Sequence, residues 1–358
     1  MTHHGNPRHA HRPPAGIPEG HLPLGGIVAD FRRHEAAVAR QAARHGVTRR
    51  EFLEFLAAGA AAAVAASVLP ARAAAELPAR SRVVIVTHPE VLLKEYRANP
   101  PIVREMVDRG LAELTGAANV ADAWRKIGRE DDFVAIKHNS IGGPTLHSHT
   151  EINDAVSAQL AAACKIDPQK ILVVDRQIPP PYNELSAPFK LPTSGLETRL
   201  RRLYTDQATA IVNVSVLKAH YNVGMSTVLK NHLGSVNNPA AYHYWENDRM
   251  PRSLPELNAL EPLRTKTRLV IIDAIRPLFA GGPADNPEYR WDYRGLIIGT
   301  DPVAVSAVGL RILETKRGQV HGKEWPMTAA RQMIAWAQHI GLGNADPERI
   351  DLVEAKMG

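Results

Sequence analysis

Of 358 residues, 44% are hydrophobic and 22% charged, with 25 Gly and 27 Pro, a balance that excludes a collagen, a coiled coil or a wholly disordered chain. The single cysteine, Cys164, excludes an intramolecular disulfide, a four-cysteine zinc site and an all-cysteine iron–sulfur cluster. The net charge of +6 gathers at the front, where residues 1–75 hold nine Arg against five acids; with a nearly neutral body and only 5% aromatics, no nucleic-acid partner is expected.

Residues 1–47 are rich in His, Arg and Pro and carry seven of the 16 histidines. This stretch reads as a disordered extension, with a metal-binding tract as the alternative. Residues 48–75 follow a different pattern. Thr48-Arg49-Arg50 precedes Phe52-Leu53, then an Ala-dominated apolar run from Leu56 to Leu69, then Pro70 and the small-x-small sites Ala71-Arg72-Ala73 and Ala73-Ala74-Ala75. That order is the layout of a twin-arginine export signal cleaved near Ala73 or Ala75. The run is shorter than the roughly 20 residues a membrane-spanning helix needs, so no stable membrane span is expected after cleavage. Export implies a periplasmic or other extracytoplasmic location and the twin-arginine machinery as a partner. The alternative is an Ala-rich amphipathic helix of a cytosolic protein.

From residue 82 the chain alternates apolar runs with helical patterns, and residues 76–358 read as a single α/β domain. The runs are 82–87, 133–138, 171–175, 210–217, 269–274 and 295–299. They are continuous rather than alternating, as in strands covered on both faces. Helical periodicity falls over 102–115, 121–127, 152–165, 197–203, 303–315 and 328–340. Strands spaced by helices predict a three-layer α/β fold with a mainly parallel sheet and helices on both faces. Two Pro-rich stretches, 177–194 and 237–261, carry no clear periodicity and are expected as long loop insertions. Their aromatics, Tyr182, Phe189, Tyr242, Tyr244 and Trp245, are expected to wall a site.

Ligands of open α/β sheets bind beyond the carboxyl ends of the strands, so the polar residues after each run are the candidates. The second run is followed by Lys137-His138-Asn139, then His147 and His149; the fourth by Lys218-Ala219-His220, then Lys230-Asn231-His232; the fifth ends at Asp273; the sixth leads into Thr300-Asp301-Pro302. Asp301-Pro302 also reads as a helix N-cap followed by Pro at the first helical position. His147 and His149, two apart, suit one metal held from a loop, or a plain surface pair. Lys218, His220, Lys230, Asn231 and His232 fall within 15 residues, a density of cations and imidazoles that suits an anionic ligand. Cys164 reads as a buried small hydrophobe. No Gly-rich phosphate loop follows any run, which disfavours nicotinamide and nucleoside triphosphates.

The phrase from Asn213 through Lys218-Ala219-His220, then Thr227, Lys230-Asn231 and Gly234, resembles the signature of the family called domain of unknown function 362. Lys137-His138-Asn139, Asp273-Ala274-Ile275, Gly281-Gly282-Pro283 and Gly299-Thr300-Asp301-Pro302 agree in order and spacing, so the likeness covers roughly residues 82–316. Some members of that family carry ferredoxin-type modules, for which this chain lacks the cysteines. Ser306 stands where the family pattern commonly has an acid.

These features point to an exported enzyme acting on a small anionic ligand, a carboxylate or phosphate, by Lys and His chemistry. In this reading His220, Lys218 and Asp273 are catalytic, His220 as general acid or base oriented by Asp273. Lys137, Asn139, Lys230 and Asn231 bind the ligand. A divalent metal, if one is used, falls to His138, His147 and His149. The alternative is a non-catalytic periplasmic binding or accessory protein for a redox or metallo-enzyme.

Overall fold

All six apolar runs form strands, and the reason is visible in their side chains. In β1 (Ser81–Thr87), Val83 and Ile85 face one apolar layer while Val84 and Val86 face the other. The same two-sided burial holds for β2 (Val134–Lys137), β6 (Ala210–His220), β8 (Thr267–Leu278) and β9 (Gly295–Gly299), which is why no alternation marks them. The third run forms β3 (Ile171–Val174) at the sheet edge. The computed structural model describes residues 79–221, 223–243 and 249–358. The extension at 1–47, the expected export signal at 48–75, and Tyr244 and Trp245 lie outside the described residues.

The sheet has eight strands in the order β10–β1–β9–β8–β6–β2–β3, with the short β7 (Gly224–Ser226) added on β6 and β10 (Ile350–Lys356) at the far edge. β10 pairs with β1, β8 with β6, and β2 with both β6 and β3, all in parallel. β9 runs antiparallel to both of its neighbours, β1 and β8. No helix of the α type separates β8 from β9, so the chain turns back beside itself instead of making the crossover a parallel pair needs. A separate two-stranded piece joins β4 (Phe189–Lys190) to β5 (Glu197–Thr198).

Helices cover both faces. α1 (Pro100–Thr115), α2 (Val120–Arg125) and α3 (Thr150–Cys164) pack Val103, Leu111, Trp124, Ile152 and Leu160 on one side. On the other side lie α4 (Val228–Asn231), α5 (Arg249–Asn258), α6 (Glu261–Lys266), α7 (Pro302–His321) and α8 (Thr328–His339), contributing Leu229, Leu257, Leu263, Leu313 and Met333. Among the described residues no helix is long and apolar enough to cross a membrane.

Two expectations change, and of the two readings of Asp301 the helix cap holds. Residues 197–201 are not helical: Ser186 N–H donates to the Leu200 carbonyl at 2.9 Å and Arg201 N–H to the Ser235 carbonyl at 2.9 Å, so pairing on both sides holds them extended, and the expected helix is reduced to the π-helical turn Leu203–Gln207 that follows. The stretch 237–261 is not all loop, since it contains α5, whose Leu254 and Leu257 are buried one turn apart; Pro255 removes one helix donor without ending the helix. The Asp301 carboxylate accepts from Ser81 Oγ at 2.6 Å, from Val303 and Ala304 N–H at 2.8 and 3.0 Å, and from Asn344 N–H at 2.8 Å. Because β9 is reversed, Asp301 ends up at the edge where β1 begins, and it is a structural cap rather than part of a site.

Candidate anion site at the sheet edge

β6 is eleven residues long and its parallel neighbour β2 only four. With Lys137 opposite Asn213 in register, β6 runs on past the end of β2 and carries Lys218 and His220 over the loop that follows Lys137. Gly224, at φ +82°, lets β7 fold back so that Ser226 pairs with Lys218; a Cβ there would also strike the Ala330 backbone at 2.5 Å. α4 then brings Lys230 and Asn231 over the same edge.

Asn231 ties these pieces together. Its Nδ2 donates to the Lys137 carbonyl at 3.0 Å, to Asn213 Oδ1 at 2.8 Å and to the Val214 carbonyl at 3.0 Å. Its Oδ1 accepts from Lys137 Nζ at 3.3 Å and Asn139 Nδ2 at 3.2 Å. With both ends of the amide engaged and the side chain buried, Asn231 positions its neighbours rather than offering a ligand-binding group, a correction to the sequence reading. Asn139 is similar: its Oδ1 accepts from Lys218 Nζ at 3.0 Å.

The three lysines differ in their partners. Lys137, fully buried, donates to Asp175 Oδ1 at 2.5 Å and to the His138 carbonyl at 2.6 Å. Burial lowers the Lys137 pKa, and Asp175 works against that shift. Burial by itself would raise the Asp175 carboxyl, but Lys137 and the hydroxyl and N–H of Ser140 hold it below the usual carboxylate range. Gly234 makes room for this pair, since a Cβ there would lie 2.5 Å from Asp175 Oδ1 and 2.7 Å from Lys137 Cε. Lys218 is also buried, but among the described residues its Nζ donates to neutral oxygens, Asn139 Oδ1 and the carbonyls of Ile141 and Leu146, with Asp175 and Asp285 acting on it from farther off. Burial first, and then repulsion from Lys230, depress it to about 7. Lys230 is half-buried and has no hydrogen-bond or carboxylate partner among the described residues; burial and the nearby Lys137 lower it to about 8.

The imidazoles beside them are held neutral. His220 stacks on His243 with ring centroids 5.6 Å apart. Burial, then Lys230, push His220 well below its ordinary value and His243 to about 4. Burial takes His232 to about 3. The edge thus gathers three amines, one carboxylate and neutral rings, an excess of positive charge that is costly to hold dry without a counter-ion.

Asp273 does not join this group. It lies on the face of β8 shared by Ile271 and Ile275, toward α3, and its Oδ2 accepts from the backbone N–H of His149 at 2.8 Å and faces His149 Nδ1 at 2.7 Å. Asp273 therefore orients His149, not His220. Burial would lower His149, but Asp273 outweighs it and raises the imidazole to about 9. The His149 Nε2 meets the Tyr96 carbonyl at 2.9 Å, so both ring nitrogens are engaged. That removes His149 as a metal ligand beside His138 and His147. His147 Nδ1 faces the Ser148 carbonyl at 2.6 Å, with its ring centroid 6.4 Å from that of His149. Among the described residues no group of three His, Cys, Asp or Glu side chains is placed to hold a metal ion.

Of the two Pro-rich stretches, only 237–261 reaches the site, through His243; Tyr242 is buried in the core. The other runs to the opposite sheet edge, where Tyr182 packs on Phe133 at 5.5 Å, just before β2. Phe189 there lines a cavity of about 580 Å³ with Arg202, Asp206 and Glu261. Sequence reasoning missed Asp175 and His243. Asp175 closes the third apolar run just as Asp273 closes the fifth, and that shared position was its signal; His243 lies where no periodicity pointed.

The fold and this edge define an α/β protein whose lysines gather beyond the ends of parallel strands. Residues 197–311 match the family described as Domain of unknown function (DUF362). The match takes in Lys218, His220, Lys230, Asn231 and Asp273 but stops short of Lys137, Asn139 and Asp175. No curated protein matches the chain, and no solved structure does.

Proposed function

We propose that this is an exported enzyme that binds a small anion, a carboxylate or phosphate, between Lys218 and Lys230 and acts on it with Lys and His chemistry. One observation carries the reading: Lys137 has Asp175 as its counter-ion, whereas Lys218 and Lys230 have no carboxylate within ion-pair distance among the described residues, Asp175 and Asp285 acting on them only from farther off. Two ammonium groups that repel each other at one sheet edge are stabilised together by a shared anion. The neutral imidazoles of His220 and His243 then stand beside that ligand as acceptors for a proton.

Calorimetric titration with phosphate and with short carboxylates tests the binding. Saturable one-to-one binding that weakens in Lys230→Met supports the reading, and no binding to the intact protein overturns it. Export rests on Arg49-Arg50 and the apolar run after them. Replacing both arginines by lysine is expected to leave uncleaved precursor in the cytoplasm; normal delivery of that variant removes the basis for export.

A further inference from the structure

We propose that Lys230 is a nucleophilic amine that forms an imine with the carbonyl carbon of a 2-oxo acid. This deepens the anion-binding reading and rests on it: the carboxylate of such a substrate is the anion, and its adjacent carbonyl is the reacting group.

The three amines at this edge are not equivalent. Lys137 donates to Asp175 and to a backbone carbonyl. Lys218 spends its hydrogens on Asn139, Ile141 and Leu146. Both are fully buried and serve as fixed donors. Lys230 alone among them has no acceptor within the described residues, and it is less deeply buried than the other two, at the end of α4. Burial disfavours its charge first and Lys137 adds to that, against a weaker pull from Asp175, while Lys230 in turn repels Lys218. A cationic neighbour and desolvation are the two means by which a lysine becomes a nucleophile near neutral pH. The neutral rings of His220 and His243 lie close enough to feel the Lys230 charge.

The step balances without any co-reactant. Lys230, charged against the carboxylate on binding, first passes that proton to solvent; its neutral nitrogen then attacks the carbonyl carbon, and the carbonyl electron pair moves to oxygen. A proton leaves the nitrogen through an imidazole and returns to the oxygen, giving a carbinolamine. Loss of water then forms the carbon–nitrogen double bond. One carbonyl and one amine become one imine and one water.

The test is reductive trapping of the full chain with pyruvate and sodium borohydride, followed by peptide mapping. The expected product gains the mass of pyruvic acid less one oxygen atom, on Lys230. Lys230→Arg keeps a cation but has no reactive amine, and it is expected to lose trapping by at least about a hundredfold. Wild-type protein that binds phosphate yet is not trapped overturns the imine while sparing the anion site. Protein that binds neither overturns both. Trapping spread over surface lysines, or retained in Lys230→Arg, also overturns the assignment. Phosphate binding by Lys230→Arg verifies that the variant is folded; if it is not folded, mapping of the wild-type adduct decides alone.

Discussion

Lys137 Nζ and Asp175 Oδ1 lie 2.5 Å apart, both side chains buried, at the ends of the neighbouring parallel strands β2 and β3. The pair uses up the one carboxylate that touches a lysine of this cluster among the described residues. On the proposed reading, Lys218, tied to neutral oxygens, and Lys230, tied to none among the described residues, are left to a ligand. The pair is therefore a foundation: it fixes the floor of the site and leaves its charge uncompensated.

Asp175→Asn is expected to cost about 3–5 kcal/mol, because it strands a buried ammonium. The double variant Lys137→Met/Asp175→Asn should lie nearer to wild type than the single one. Asp175 titrates below its usual range in the folded protein, so its stabilisation is fully present above the unfolded carboxylate value near 4 and is lost as pH falls through the folded value. Chemical denaturation of the wild type and the two variants from pH 3 to 7 checks this. A single variant as stable as wild type would show the pair to be dispensable.

Lys218 and Lys230 are expected to separate in stability. Lys218→Met leaves the Ile141 and Leu146 carbonyls without their donor, at a cost of about 1–3 kcal/mol. Local sequence does not reveal this cost, because it does not show that Lys218 props up the loop above it. Lys230→Met removes a repelled charge with no partner and should leave the thermal midpoint unchanged or slightly raised. Both should lose anion affinity. Thermal melts beside calorimetry decide, and equal destabilisation by the two would contradict the distinction.

How much of this was legible follows from what burial does to a pattern. Runs such as Val83–Val86 announce strands because both faces are covered, but the same run reads identically in either direction. The reversal of β9 was therefore hidden, and Asp301 was placed at the wrong edge. Asp273 was misassigned for a related reason: alternation sets it beside Ile271 and Ile275, away from Ile272 and Ala274, and only the layer each set faces reveals His149 as its partner. Lys218 and Asn231 stand out as candidates in the sequence because polar residues just beyond a strand's carboxyl end lie where open α/β sheets bind ligands. That Asn231 is a brace rather than a ligand group depends on five hydrogen bonds, three of them to residues 92 or 94 positions away in the chain, which local sequence does not encode.

His149→Gln gives a pH signature with a definite sign. The folded imidazole is raised to about 9 by Asp273, against an unfolded value near 6.5. Its stabilisation is fully present below pH 6.5 and fades as pH rises toward 9. The variant should thus be destabilised by on the order of 3 kcal/mol at pH 6, with the difference shrinking steadily up to pH 9. Paired urea titrations at four pH values measure it. A difference that is constant or grows with pH would mean that His149 is not charged against Asp273.

Anion binding should take up protons, because the lysines that greet the ligand are not fully charged beforehand. With Lys218 at about 7 and Lys230 at about 8, much of their charge is absent at pH 8. A bound dianion supplies the missing counter-charge, raises both values and draws protons from solution. Sulfate is the cleanest probe, since it does not itself titrate in this range. At pH 8 about one proton should be taken up per sulfate, falling toward zero at pH 6, where both amines are already protonated. By the same linkage, sulfate affinity must decline as pH rises from 7 to 9. Calorimetric enthalpies measured in buffers of different ionisation heat give the proton count directly. Proton release, or affinity that does not change over this interval, would mean that the ligand is not held by these two amines.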